Sequence, residues 1–183
     1  MAHQMVHQMG HQMVHQTDMK PNPEPLPFFV YGTLLPGQPN AYLWQEAVAG
    51  QQTAVLPNGR LYDLGAFPML VQEGEESVRG VLLQIEAEQY QQVLDRLDAL
   101  EGYDPTRPDA SAYRRVKCLV TGADGRLYTA WVYLGHTAAQ PDMKPIPGGD
   151  WAAYAAATFP DIEQWWQSIA SVHGLLNPPP TGA

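Results

Sequence analysis

The chain has 183 residues and a mass of 20.2 kDa, the size of one domain with tails, and it can bury a core without disulfide staples. It carries 10 basic against 19 acidic residues, a net charge of −9, and a surface of that sign repels nucleic-acid phosphates and anionic lipid. Its single cysteine, Cys118, excludes an intramolecular disulfide framework and a cysteine-based structural zinc site, and no apolar run reaches the ~20 residues that span a bilayer.

The N-terminus lacks the basic and apolar regions of a secretory signal, so a cytoplasmic enzyme or binding protein is expected, with neither nucleic acid nor membrane as partner. The first 20 residues carry a repeat of period four, HQMV-HQMG-HQMV-HQTD, with His3, His7, His11 and His15 in register. On a helix those imidazoles would share a face and could hold Ni, Cu or Zn weakly. The plainer expectation for 1–26 is a disordered, low-complexity tail ending in a proline-rich linker. A single domain is expected over 27–173, with a second tail over 174–183.

Within that domain the signals are mostly β. Strands are expected at 28–31, 60–64, 69–72, 78–85, 113–120 and 127–134, the last two joined as a hairpin through Thr121-Gly-Ala-Asp-Gly125. Val116, Cys118 and Val120 alternate toward one face, so Cys118 reads as a small buried hydrophobe. From Ala87 to Leu100, Tyr90, Val93, Leu94, Leu97 and Leu100 follow helical spacing, and Gly102 suits a left-handed cap. Further helices are expected at about 150–157 and 161–172, capped by Asp150 and Asp161. The two histidines beyond the repeat, His136 and His173, read as surface residues.

Two places carry chemistry. Glu101 lies four residues after Leu97, at the edge of the apolar stripe in the last helical turn. Partial burial and the negative end of the helix dipole both disfavour its charge, which is the condition of a general acid/base near neutral pH. The ordinary alternative is a solvated helix-end residue, with Asp98 and Asp104 merely its acidic neighbours. The second place is Tyr31-Gly-Thr-Leu34. Gly32 directly after a strand is expected to take a left-handed φ and to let consecutive N–H groups face a carboxylate or an oxyanion. The alternative is a plain strand-exit loop.

Six segments in order then resemble one family. Phe28-Phe-Val-Tyr-Gly-Thr-Leu34 resembles the substrate loop of the γ-glutamylcyclotransferase-like family. Gly65-Ala-Phe-Pro-Met-Leu-Val71, Val78-Arg-Gly-Val-Leu82 and Leu97-Asp-Ala-Leu-Glu-Gly-Tyr103 resemble its next three motifs, and Tyr113-Arg-Arg-Val116 and Gly149-Asp-Trp-Ala-Ala-Tyr154 the last two. The resemblance covers about 27–157, and Leu34-Leu-Pro-Gly37 is most similar to the γ-glutamylamine cyclotransferase-like branch. It implies an α+β fold: a small, mostly antiparallel β-barrel with packed helices. It implies that Glu101 is the proton acceptor and that Tyr31, Gly32, Thr33 and Leu34 cradle the substrate. Tyr113 is a further pocket-lining candidate, its alternative being core packing.

The implied reaction releases 5-oxoproline from a small γ-glutamyl substrate. The substrate's own α-amine attacks its γ-carbonyl, so no cofactor or metal is expected. The leaving group is open, because the insertion at 104–110 lengthens the loop beside the site and 135–147 has no clear match to the family's substrate contacts. Two other readings are a non-catalytic small-molecule binding member of the same fold and an interaction protein acting through the His/Gln/Met repeat. Tyr-Gly-Thr together with Glu-Gly favours the enzyme.

Overall fold

The computed structural model describes residues 25–65, 67–135 and 143–158. The expectations for the His repeat, for His136 and His173, for a helix at 161–172 and for the tail at 174–183 lie outside those residues. In chain order the elements are β1 (Phe28–Val30), β2 (Val48–Pro57), β3 (Arg60–Asp63), β4 (Pro68–Val71), β5 (Ser77–Ile85), α1 (Tyr90–Glu101), β6 (Tyr113–Gly122), β7 (Leu127–Gly135), β8 (Lys144–Pro145) and α2 (Trp151–Thr158). Five strands close a barrel in the order β1-β5-β2-β6-β7, and β4-β3-β8 form a small sheet beside it. The fold is α+β, as expected.

The barrel is antiparallel except at its seam, where β1 runs parallel to β7 with Phe28 opposite Trp131. The Trp131 N–H donates to Pro27 O across that seam at 2.9 Å. Phe28, Phe29 and Val30 are buried on both faces of β1, which explains a run with no alternation. One flank packs on α1, where the Tyr90 ring lies 5.5 Å from that of Phe28. Gly80 on β5 makes the close approach possible: a Cβ there would sit 2.3 Å from Val30 O and 2.6 Å from the Phe29 ring.

The helix α1 begins at Tyr90 and not at Ala87, because residues 86–90 first form a turn in which Gln89 N–H donates to Glu86 O at 3.0 Å. Val93, Leu97 and Leu100 are its buried stripe, each contributing about 1.5–3 kcal/mol on burial. The hairpin at 121–125 is present between β6 and β7, with Gly125 at φ 75°. Cys118 is buried. Asp150 caps α2, its Oδ1 accepting from Ala153 N–H at 3.0 Å, and Trp151 behind it is fully buried.

One long element went unforeseen. The strand β2 pairs with β5 from Val48–Ile85 to Pro57–Ser77, with a bulge between Val48 and Gly50. Its inward positions 48, 50 and 52 are only partly buried, and only Ala54 and Leu56 reach the core. It therefore lacks the apolar alternation by which the other strands are read, and backbone pairing holds it instead.

Candidate active site

Glu101 is the last residue of α1, and the chain turns sharply behind it. Gly102 adopts φ 62°, ψ 31°, with its N–H on Ala99 O, while Tyr103 N–H donates to Asp98 O at 2.9 Å. This pair of bonds is the glycine-ended helix termination known as a Schellman motif. It fixes the backbone at Glu101 and meets the expectation of a left-handed Gly102. The helix drives Leu97 and Leu100 into the core, so Glu101 beside them is partly buried. Burial first, and then the Asp98 charge one turn back, push its carboxyl up to about 8. No hydrogen bond or cation among the described residues offsets these effects.

The loop 31–34 faces Glu101 across a cleft. Tyr31, Gly32, Thr33, Leu34, Glu101 and Tyr113 all line it, together with Phe29, Val30, Phe67, Pro68 and Tyr133. The topology therefore brings every sequence-derived site residue to one place. The loop is firmly held. Asn40 N–H donates to Thr33 O at 3.0 Å and Asn40 Nδ2 to Thr33 Oγ1 at 3.0 Å, while Trp44 Nε1 donates to Leu34 O at 2.9 Å. Asn40, Trp44 and Thr33 are buried. Among the described residues, the backbone bonds of this loop use its carbonyls, and the amides of Gly32, Thr33 and Leu34 donate to none of them.

The expected conformation of Gly32 is corrected: it is not among the glycines with positive φ. Glycine is required there for another reason. A Cβ on Gly32 would meet the Pro68 ring at 2.8 Å from Cγ and 3.1 Å from Cδ. The constraint is steric and comes from β4, about which local sequence says nothing.

Three tyrosines wall the cleft. Tyr31 Oη donates to Tyr133 O at 2.7 Å, Tyr113 Oη to Pro68 O at 3.3 Å, and Tyr133 Oη to Asp98 Oδ1 at 2.6 Å. Burial chiefly raises the ionisation of all three far above that of free tyrosine, so they are neutral donors at any physiological pH. Tyr113 is both core and lining, so its two readings are not exclusive. Among the described lining residues Glu101 is the sole carboxylate, and none is Lys, Arg or His. A bound carboxylate is thus left to N–H and O–H donors, and a bound ammonium to Glu101.

Sequence reasoning named Asp98 only as an acidic neighbour and Pro68 and Arg115 only as members of motifs, and it gave Asn40 and Tyr133 no part in the site. Asp98 alone had a local signal, standing three residues before Glu101 on the same helical face. The structure gives it more than the part of an acidic neighbour: its side chain is 14% exposed and lies 3.5 Å from Arg115 Nε. The loop at 104–110, in contrast, is largely self-contained. Asp104 accepts from Thr106 and Arg107, and burial is low throughout the segment.

A closed five-stranded barrel, with a cleft in which a carboxyl raised by burial stands across from the 31–34 loop, defines a class of small barrel proteins. Residues 28–153 match the family described as "Gamma-glutamyl cyclotransferase, AIG2-like", and the chain belongs to that family. A curated relative from Vibrio cholerae serotype O1, named "Putative gamma-glutamylcyclotransferase", is 36% identical over 124 residues, which is 67% of this chain and 92% of that one. Among solved structures, an uncharacterized protein from Pyrococcus horikoshii aligns with a TM-score of 0.51 at 20% identity, over 73% of this chain and 95% of that one. The protein YkqA from Bacillus subtilis aligns at 0.53 and 21%, over 72% of this chain and 41% of its own. At those identities the two structures speak for the fold alone. No helix among the described residues is long and apolar enough to cross a membrane.

Proposed function

We propose that the protein releases 5-oxoproline from a γ-glutamyl amine or γ-glutamyl amino acid, with Glu101 as the single acid/base. The observation that carries this reading is the Glu101 carboxyl, raised to about 8, across one cleft from the unengaged amides of Gly32, Thr33 and Leu34. A carboxyl with that proton affinity can take a proton from an α-ammonium and return it near neutral pH.

The steps follow from the substrate's own atoms. Glu101 accepts one proton from the α-ammonium. The freed amine nitrogen attacks the γ-carbonyl carbon, and the carbonyl π electrons move to oxygen. The oxyanion re-forms the carbonyl as the bond to the leaving nitrogen breaks. The leaving nitrogen takes the proton that Glu101 holds, the ring nitrogen gives up its second proton to the carboxylate, and the freed amine takes that proton in turn and departs as an ammonium, which returns Glu101 to its starting state. The products are 5-oxoproline and a protonated amine, with no water consumed. Because attacking and attacked atoms belong to one molecule, the protein's largest task is to hold the substrate folded. The firmly held 31–34 loop and the walls formed by Tyr31, Tyr113 and Tyr133 suit that task. The loop amides are the natural holders of the α-carboxylate.

The test is incubation of the purified chain with γ-glutamyl amines, γ-glutamyl dipeptides and glutathione, followed by detection of 5-oxoproline. Release from at least one class supports the reading. An inert protein across the panel that still binds one of these compounds would shift the assignment to a binding member of the fold.

A further inference from the structure

We propose that Asp98 is a positioning residue for Glu101: held by Arg115 and the Tyr133 hydroxyl, it is the fixed negative charge one helical turn away against which Glu101 exchanges its proton. The proposal rests on the cyclotransferase reading for its purpose, though not for its test.

The geometry is a chain of contacts from Arg115 through Asp98 and Tyr133 to the cleft. Asp98 and Glu101 stand three residues apart on α1, which places them side by side on one face. Asp98 Oδ1 accepts from Tyr133 Oη at 2.6 Å and lies 3.5 Å from Arg115 Nε. Tyr133 itself lines the cleft with Glu101. Arg115 is 87% buried at its side chain, being 13% exposed, and stacks with the rings of Trp131 and Tyr103, its Cζ at 4.9 and 5.4 Å from their centroids. Its Nε and Nη1 make no hydrogen bond among the described residues. A guanidinium held this way is left to the Asp98 charge and two aromatic faces for compensation. The arrangement holds the Asp98 carboxyl between Arg115 and the Tyr133 hydroxyl.

The groups facing Glu101 leave Asp98 as the one that can tune it. Tyr31 at the end of β1, Tyr113 on β6 and Tyr133 on β7 are neutral, and β4 contributes only Pro68 and its neighbour Phe67. Asp98 faces Arg115 from β6 and Tyr133 from β7, and Asp95 from its own helix. Burial raises the Asp98 carboxyl above its ordinary value, with Tyr133 and then Arg115 opposing the rise, whereas at Glu101 burial and then Asp98 both raise it and nothing opposes them. The Asp98 charge holds the Glu101 proton on, making Glu101 a stronger base once it is free. If Asp98 were only a staple between α1 and the barrel, its removal would lower stability without touching how Glu101 titrates.

The experiment is a carboxyl-carbon NMR titration of the full chain without substrate, in the wild type, in Asp98→Asn and in Asp98→Glu. In the wild type Asp98 should titrate first and show a second, smaller inflection where Glu101 titrates. In Asp98→Asn the Glu101 midpoint should move down, and Asp98→Glu should restore much of it. The acid limb of the kcat/KM profile should move down with it, and its plateau should fall by less than the about 10²-fold or more that loss of an acid/base itself costs. An unmoved Glu101 midpoint in folded Asp98→Asn overturns the proposal. If that variant does not fold, a wild-type Asp98 signal with no inflection at the Glu101 midpoint overturns it as well. Because substrate is absent, a protein inert on γ-glutamyl compounds would still show the coupled titration.

Discussion

Gly32 and Pro68 lie so close that a single added methyl on the glycine would overlap the proline ring, its Cβ 2.8 Å from Pro68 Cγ. Pro68 is not free to retreat, since it opens β4 opposite Asp63 and its carbonyl accepts from Tyr113. Gly32→Ala should therefore push the 31–34 loop away from the cleft. Overpacking of this kind costs about 1–3 kcal/mol, and the displaced loop should lose at least tenfold in turnover, roughly the scale of a 1 Å misplacement. Thermal unfolding and 5-oxoproline release, measured on the same preparation, check both. Normal turnover with normal stability would show that the loop does not form the cradle.

Gly102 makes the opposite case, because its constraint is conformational. A Cβ there would meet only Ala112 at 3.9 Å, so space is ample, but φ is 62°. A left-handed residue other than glycine costs about 1–2 kcal/mol. Gly102→Ala should lose that much by chemical denaturation, and turnover should fall with it because the same turn fixes Glu101. Loss of stability with full turnover would mean that the helix end does not position the carboxyl.

Glu101 also makes stability depend on pH, with a definite sign. Its carboxyl titrates at about 8 in the folded chain against an ordinary value of 4.5. Between those values the folded chain binds the extra proton. The stabilisation is complete below about 4.5 and is lost as pH rises through about 8. Glu101→Gln removes this dependence. The melting temperature of the wild type should thus fall relative to Glu101→Gln as pH rises, and above about 8 the variant should be the more stable of the two. A constant difference across that range would mean that Glu101 titrates as an ordinary surface carboxylate.

What was legible in the sequence is what local rules govern. The α1 stripe and its glycine cap are set within a few residues of each other, and both were read correctly apart from the extra turn at the start. The hairpin at 121–125 and the Asp150 cap are equally local. The strand β2 was missed because its partner β5, and not its own side chains, holds it; inward-facing Gly50 and Gln52 give no apolar period. Glu101 and the 31–34 loop were found by a helix-end argument and a motif. The reason for Gly32 was misread because Pro68, 36 positions away, supplies it. The roles of Asn40, Tyr133 and Arg115 were invisible for the same reason: they exist only once β6, β7 and the loop after β1 meet.

The measurement closest to the central claim is the rate of 5-oxoproline release by Glu101→Gln, set beside the wild type on the best substrate of the γ-glutamyl panel. Glutamine keeps the size and shape of the side chain and removes its proton. If Glu101 is the acid/base, release should fall by about 10²–10⁴-fold while substrate affinity is largely kept, and the fold should hold or gain slightly in stability near neutral pH. A Glu101→Gln protein that makes 5-oxoproline at close to the wild-type rate would contradict the account.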